Sequence, residues 1–499
     1  MTLARCLMVQ GTASDVGKSV VATALCRVLH EEGFRVAPFK AQNMSLNAAV
    51  AGDGEIGRAQ AAQAHAAGIS SRVEMNPILL KPEADTRSQL VVLGKATGRY
   101  ATTAYWQVAN GLWPVVTGAL ARLRGEFEIV VIEGAGSPAE LNLTHVDIAN
   151  MRVAAEADAG VLLVGDIERG GIFAQLLGTL DLLSPTDRAR VRALIVNKFR
   201  GDPSLFDDGV RILRERTGLP VYVLPFVDDL AVPSEDGLAP QRPPSSTDAP
   251  DIAVIIYPHV SNHDDLEPLS AAGSRLRYVR RQADLGHPDL IVLPGSKTTL
   301  ADLAWLRNRG LDAGIHALAR GGTPVLGICG GFQMLGRELS DPFGTDGSLG
   351  VVPGLGLLPV VTEFEGHKRT ALVRARVVTP GFFGDAVGVT FDAYEIHVGR
   401  TRQERATRPF AELVSHGRDP SQPDGAVSDD GSVIGTYLHG LFVDERIRSA
   451  LLRELAARRG RPFAPRDLPR DPYARASRWL RSSCDIGELL AACDVERAR

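Results

Sequence analysis

The segment Gly11-Thr-Ala-Ser-Asp-Val-Gly17-Lys18-Ser19 most constrains what this chain can fold into. It follows an apolar run, Arg5–Val9, and opens an Ala-rich stretch of helical period, Lys18–Glu32. Strand, glycine-bearing turn and helix in that order make a phosphate-binding loop, with backbone N–H groups and a helix N-terminus converging on polyphosphate. In that reading Gly11, Thr12, Ser14, Asp15 and Gly17 cradle ATP. Lys18 reaches the β- and γ-phosphates, and the Ser19 hydroxyl meets Mg²⁺. The spacing departs from G-x-x-x-x-G-K-S/T: Thr12 stands at the first glycine of that pattern, and Gly11 comes one residue earlier.

Such a loop belongs in a parallel α/β sheet, and the downstream pattern agrees. Apolar runs at Arg35–Phe39, Ile129–Ile132, Gly160–Val164 and Ala193–Val196 alternate with helical segments such as Gly57–Ala67. The alternation predicts a sheet with helices on both faces. It stops near Ala231, where 231–250 carries five prolines with Ser245, Ser246 and Thr247. That composition reads as a linker. A second α/β series follows at Ile252–Tyr257, Leu290–Leu293 and Thr323–Ile328, becoming β-rich through Val433–Tyr437. The expected division is therefore 1–230, a linker 231–250, a second domain 251–447 and a helical extension 448–499. Eight arginines fall between 451 and 480, diluted by Glu454, Asp467 and Asp471. They read as a solvated helical face packed on the second domain.

Composition excludes several classes. A chain of 499 residues predicts more than one domain. With 55 Lys+Arg against 59 Asp+Glu it lacks the basic excess of a nucleic-acid binder. No apolar run is long enough for a transmembrane helix, and the N-terminal one is too short for a signal-peptide core. A cytoplasmic protein with no membrane partner is expected. The five cysteines include no CxxC pair, so neither a zinc ribbon nor a disulfide framework is indicated.

Further ligand residues sit after strands, where open α/β sheets bind ligands. Glu133, in Val131-Ile-Glu-Gly-Ala-Gly136, offers a strand-end carboxylate able to hold Mg²⁺. The polar string Pro38-Phe-Lys-Ala-Gln-Asn-Met-Ser-Leu-Asn47 brings Lys40, which would neutralise a substrate carboxylate or its acyl phosphate. Glu55 is either a second Mg²⁺ ligand or an exposed acid at a helix start. Asp166 and Asn197 also follow strands.

Cys329 stands apart from the other thiols. Gly327-Ile-Cys329-Gly-Gly331 lies between an apolar strand and a helical segment, Phe332–Leu339. A nucleophile between small residues at a strand-to-helix turn is exposed at the sheet edge. The helix N-terminus favours thiolate, and the Gly330 N–H becomes an oxyanion donor. Its best base is His439, in Gly435-Thr-Tyr-Leu-His-Gly-Leu441. His259 and His263 are four apart but follow a strand, where helical spacing has no meaning, so no zinc site is read there.

The loop spelling Gly-Thr-x-Ser-x-x-Gly-Lys-Ser resembles that of dethiobiotin synthetase and of the ATP-dependent amidases of corrin synthesis. The Cys329 turn with His439 resembles class I glutamine amidotransferases. Gln42-Asn-Met-Ser-Leu-Asn47 and Glu55-Ile-Gly-Arg-Ala-Gln60 are similar to the cobyric/cobyrinate amidase family, on its cobyric acid synthase side. That resemblance spans essentially the whole chain. It implies an N-terminal dethiobiotin-synthetase-like domain joined to a class I glutamine amidotransferase-like domain, both α/β. The implied activity is ATP- and glutamine-dependent amidation of the b, d, e and g carboxylates of cobyrinic acid a,c-diamide, usually adenosylated, giving cobyric acid in cobalamin biosynthesis. The cofactors implied are ATP and Mg²⁺; the partners are L-glutamine and a corrin. By the same resemblance Gly295 and Ser296 form an oxyanion loop and Asn197 contacts the nucleotide base. Tyr394-Glu-Ile-His397 is similar to a family motif, but an alternating strand accounts for it nearly as well, and Glu395 and His397 are not read as catalytic. One departure stands out: Leu441 occupies the place of the usual acid two residues after the histidine, a lack this family shares. What orients the imidazole is left open; Asp444 is not assigned. The alternatives are cobyrinic acid a,c-diamide synthase and, from another class, a partition-type switch ATPase. The latter usually carries an extra lysine early in the loop, where Thr12, Ala13 and Ser14 stand.

Overall fold

Cys6–Gly11 is buried at every position, as a strand is when helices cover both faces of a parallel sheet. The structure is a computed structural model. It describes residues 3–84, 87–227, 230, 232, 242–347, 350–404, 407–414 and 421–495, so much of the expected linker 231–250 lies outside the described residues. The first sheet contains β1 (Arg5–Gly11), β2 (Val36–Phe39), β3 (Ile129–Glu133), β4 (Gly160–Asp166), β5 (Val191–Phe199) and β6 (Val221–Pro225). Their order is β6-β5-β4-β1-β3-β2, all parallel. Side-chain alternation divides the core in two. Leu7 and Val9 join Val21, Leu25 and Leu29 of the helix Lys18–Glu31, whereas Cys6 and Met8 join Leu120 and Leu123 of the helix Trp113–Glu126. A smaller sheet, Gln42–Met44, Ile78–Ala84, Arg87–Val92 and Lys95–Ala101, was not anticipated from sequence.

The second sheet contains β7 (Asp251–Ile255), β8 (Arg275–Val279), β9 (Leu290–Leu293), β10 (Val325–Ile328), β11 (Ala426–Val427) and β12 (Val433–Thr436). Its order is β8-β7-β9-β10-β12-β11, antiparallel only between β11 and β12. The helix after β10 is shorter than expected, Gly330–Leu335, because Gly336 turns extended and Glu338–Asp341 becomes a strand. A long hairpin, Val360–Val377 with Thr390–Gln403, supplies the β-rich part. Among the described residues no helix is long and apolar enough to cross a membrane.

The chain is not divided at one point, as the sequence suggested. One compact unit comprises Met1–Ser45, Gly54–Glu235 and Arg470–Arg499; the other comprises Leu46–Asp53 and Asp236–Pro469. Thus the terminal helices, expected on the second domain, belong to the first. Ala474–Ser483 buries Ala476, Trp479 and Leu480, and Ile486–Ala492 buries Leu489, against the same core as Leu7 and Val9. The Trp479 indole donates to Pro225 O at 2.8 Å, and Arg481 pairs with Glu32 at 2.6 Å. Arginine content had suggested a solvated face, but the apolar i, i+3, i+4 stripe decides where the helix docks. Trp479→Ala should therefore destabilise the first unit by about 3–5 kcal/mol. Native-state hydrogen exchange of β1 and β4 amides measures this; unchanged protection would contradict it.

Candidate active site

The phosphate loop closes tightly on itself. A Cβ on Gly11 would lie 2.5 Å from Val16 Cγ2, and Gly17 adopts φ +105° with Asn197 Nδ2 only 2.1 Å from where a Cβ would stand. Asn197 donates to Val16 O at 2.8 Å, so this residue, expected at the nucleotide base, braces the loop backbone. Thr12 N–H donates to Val164 O at 2.9 Å, while Ser14 and Asp15 are exposed, Asp15 with φ +59°. The buried Lys18 ammonium donates to Ala13 O at 2.8 Å and Gly136 O at 3.0 Å.

Glu133, fully buried at the end of β3, gathers the rest. Its Oε1 accepts from Ser19 Oγ at 2.8 Å and Lys40 Nζ at 3.0 Å; its Oε2 accepts from Gln63 Nε2 at 2.5 Å. Burial would raise this carboxyl, but the Lys40 charge and the three hydrogen bonds outweigh it and hold the pKa below the ordinary carboxylate value. Gln63 had not been singled out; it lies on the helix Arg58–Ala66 that the Glu55–Gln60 string opens. Glu55 is buried, not an exposed helix-start acid, and pairs with Lys81 Nζ at 2.9 Å. Asp166 is held by Lys198 at 2.8 Å. For Mg²⁺ the convergent oxygens are Ser19 Oγ and Glu133 Oε1. Among the described residues no group of three or more His, Cys, Asp or Glu could hold a metal. One carboxylate and one hydroxyl suit an ion that takes its remaining ligands from phosphate and water.

In the second unit Cys329 takes φ +52° and ψ −111°, a conformation rare for a side-chain-bearing residue and typical of functional turns. Glycines make it possible. A Cβ on Gly331 would sit 1.9 Å from Leu293 O, and one on Gly330 would sit 2.8 Å from Ser296 N. The expected oxyanion residues Gly295 and Gly330 therefore approach one turn, and Gly295 also lies beside His439 Cε1. The Cys329 thiol donates to Ile396 O at 3.5 Å.

His439 is fixed on all sides. Its backbone exchanges hydrogen bonds with Tyr394 at 2.9 and 3.2 Å, and the two rings stack at 5.0 Å. Its Nδ1 lies 2.5 Å from Asp265 Oδ2, and Cys329 is near enough to act on the imidazole electrostatically. Asp265 Oδ1 in turn accepts from Gly440 N–H at 3.0 Å and Tyr394 OH at 3.4 Å. Burial alone would lower the imidazole; Asp265 foremost, then Cys329, raise it from 6.5 to about 10.

Asp265 is the residue sequence reasoning missed. It belongs to Pro258-His-Val-Ser-Asn-His-Asp-Asp265, a segment whose histidines are its more conspicuous residues in the sequence. The available signal was a pair of acids just beyond a buried strand, at the carboxyl edge of the sheet. The histidines themselves are otherwise engaged: His259 pairs with Asp302 at 3.0 Å and His263 Nε2 lies 3.2 Å from Asn47 Nδ2. Asp444 caps the helix Glu445–Arg458 and pairs with Arg446. Glu395 and His397 line a cavity of about 800 Å³ with Arg369, Asp424 and Tyr437. There Glu395 binds Arg369 at 2.6 Å and His397 stacks on Tyr437 at 3.8 Å.

The Asp265–His439 pair carries a signed pH dependence. A folded-state pKa above the unfolded one gives stabilisation fully present below 6.5 and lost as pH rises through about 10. Glutamine hydrolysis should then hold to an alkaline limb near that value. Asp265→Asn should lower kcat by at least about 10²-fold and move the limb down toward the ordinary histidine range. A kcat–pH profile of both forms checks this; coincident limbs would contradict it.

Comparison with known proteins agrees with both halves. Residues 7–240 match the CobQ/CobB/MinD/ParA nucleotide binding domain, and residues 251–447 match the CobB/CobQ-like glutamine amidotransferase domain. A cobyric acid synthase from Sorangium cellulosum (strain So ce56) is 46% identical, covering 98% of this chain and 99% of the relative. One from Roseiflexus castenholzii (strain DSM 13941 / HLO8) is 49% identical over 94% and 95%, and one from Moorella thermoacetica (strain ATCC 39073 / JCM 9320) is 48% identical over 99% and 98%. Matched from end to end by such relatives, the chain belongs to the cobyric acid synthase family.

Proposed function

We propose that this enzyme converts cobyrinic acid a,c-diamide, usually adenosylated, to cobyric acid by ATP- and glutamine-dependent amidation at b, d, e and g, in the cytoplasm. The observation that carries the reading is the possession of two separate chemistries in one chain: a phosphate loop whose serine meets a buried Glu133, and a strained cysteine turn in the same unit as a carboxylate-backed histidine.

In the first unit Gly11, Thr12, Ser14, Asp15 and Gly17 wrap the ATP phosphates. Lys18 leaves its carbonyl partners for the β/γ oxygens, and Asn197 keeps the loop closed. Ser19 and Glu133 would hold Mg²⁺, which supplies charge neutralisation on the phosphates when bound; Glu55 joins them only by releasing Lys81. Lys40 neutralises the substrate carboxylate as its oxygen displaces ADP from the γ-phosphorus, giving an acyl phosphate. Positioning and charge neutralisation account for most of the acceleration such transfers need.

In the second unit the Cys329 sulfur attacks the side-chain carbonyl carbon of glutamine. The oxyanion is met by N–H groups of Gly330 and the Gly295–Ser296 loop. His439 donates its proton to the departing nitrogen, releasing ammonia and leaving a glutamyl thioester. The imidazole then takes a proton from water, which frees glutamate. Ammonia displaces phosphate from the acyl phosphate to give the amide. Cys329→Ala should abolish glutamine-driven amidation and leave ammonium-driven amidation intact, measured by product formation on the corrin. Failure of high ammonium to support the variant would contradict this division of labour.

A further inference from the structure

We infer that the cavity at the amino ends of β1, β4 and β5 binds a small phosphate monoester of at most nucleotide size, and that its occupation clamps the tail after Ile486–Ala492 onto the first sheet.

The phosphate loop leaves the carboxyl end of β1. The opposite edge of the same sheet carries a cavity of about 440 Å³, a size suited to a small organic ligand. Leu3, Ala157 and Ala159 give it an apolar wall, and Arg5, Arg124, Arg190 and Arg192 a cationic one. All of these residues belong to the first unit. β1 is seven residues long, which puts the cavity about 20 Å from the phosphate loop.

Charge decides the class of ligand. Four guanidiniums line the cavity against two carboxylates, Asp158 and Asp494. Arg190 pairs with Asp158 at 3.0 Å and Arg192 with Asp494 at 3.4 Å. The acids are the outer members, their side chains 89% and 71% exposed against 29% and 45% for the arginines. Pairs so exposed contribute little, so an anion in the cavity can recruit both guanidiniums. Among the described residues, the Arg124 guanidinium meets backbone carbonyls alone, Ala4 O at 3.3 Å and Glu156 O at 3.5 Å, and that of Arg5 has no partner. Two positive charges are left uncompensated, matching a phosphate monoester above its second pKa of about 6. Guanidinium forks fit phosphate oxygens bidentately, and the apolar wall receives the organic part.

The tail closes the site. A Cβ on Gly160 would stand 2.8 Å from Cys493 Cα, so glycine at the start of β4 lets the tail come this near. Cys493 and Val495 are buried beyond it, and Asp494 reaches Arg192. A ligand held between Arg5, Arg124 and Arg192 lies against that tail and is released when the tail opens. Binding must therefore suppress opening in proportion to occupancy.

The test follows hydrogen exchange of the full-length chain at constant ionic strength, with adenosine 5′-monophosphate, ribose 5-phosphate, inorganic phosphate or chloride added. Exchange in segments 486–494 and 157–162 should slow about tenfold at about ten times the half-effect concentration. For at least one monoester that concentration should lie below about 1 mM, and inorganic phosphate, which leaves the apolar wall empty, should need more. Arg5→Ala should raise it at least about tenfold without altering exchange of the ligand-free chain, and Arg5→Lys should recover part of the loss. Lys18→Ala, which disables the phosphate loop, should keep the protection. No slowing by either monoester at about 10 mM, an equal effect of chloride, or an unaltered response in Arg5→Ala overturns the inference. So does loss of protection in Lys18→Ala, which would place the ligand at the phosphate loop, or inorganic phosphate acting as strongly as the monoesters, an adventitious ion only.

Discussion

An ionised carboxylate inside a parallel sheet is tolerable only when charge and hydrogen bonds compensate its lost hydration. Glu133 imposes that condition on the first unit. Its three partners come from the helix after the phosphate loop, the string after β2 and the helix Arg58–Ala66. These segments are distant in sequence and must all arrive correctly or leave a buried anion unpaired. The loop geometry, the place of Lys40 and the unforeseen role of Gln63 follow from that single requirement.

The second unit repeats the solution with a different acid. Asp265 is buried, and its oxygens are matched by the His439 imidazole, the Gly440 N–H and the Tyr394 hydroxyl. The acid therefore does two things at once. It orients the imidazole and favours its charged form, which a histidine buried without such a partner would lose. Leu441, at the usual position of the acid, is thereby explained: the carboxylate arrives from a loop after β7 instead of from the histidine's own segment.

The parallel strands, the phosphate loop, Glu133 and the Cys329 turn were legible because each is a local pattern. Buried runs and glycine spacing are written in consecutive residues. Asp265, Gln63 and the brace from Asn197 to the loop were not, because each depends on a contact between segments far apart along the chain. Asn47 was legible as part of a distinctive string, but its neighbours were not, since a polar run after a strand does not say which core receives it. The terminal helices are rich in arginine, but the apolar stripe Ala476, Trp479 and Leu480 decides their place, and a stripe does not name the core that receives it. The long hairpin was visible only as β-rich composition.

The family and the two sites converge on one reaction, and the fate of the glutamine nitrogen reports on it most directly. The decisive measurement incubates the chain with ATP, Mg²⁺, cobyrinic acid a,c-diamide and glutamine labelled with nitrogen-15 in the side-chain amide, then reads the corrin product by mass spectrometry and fragmentation. The account predicts cobyric acid with label at b, d, e and g. Unchanged substrate, or amides at b, d, e and g that lack the label, would contradict it.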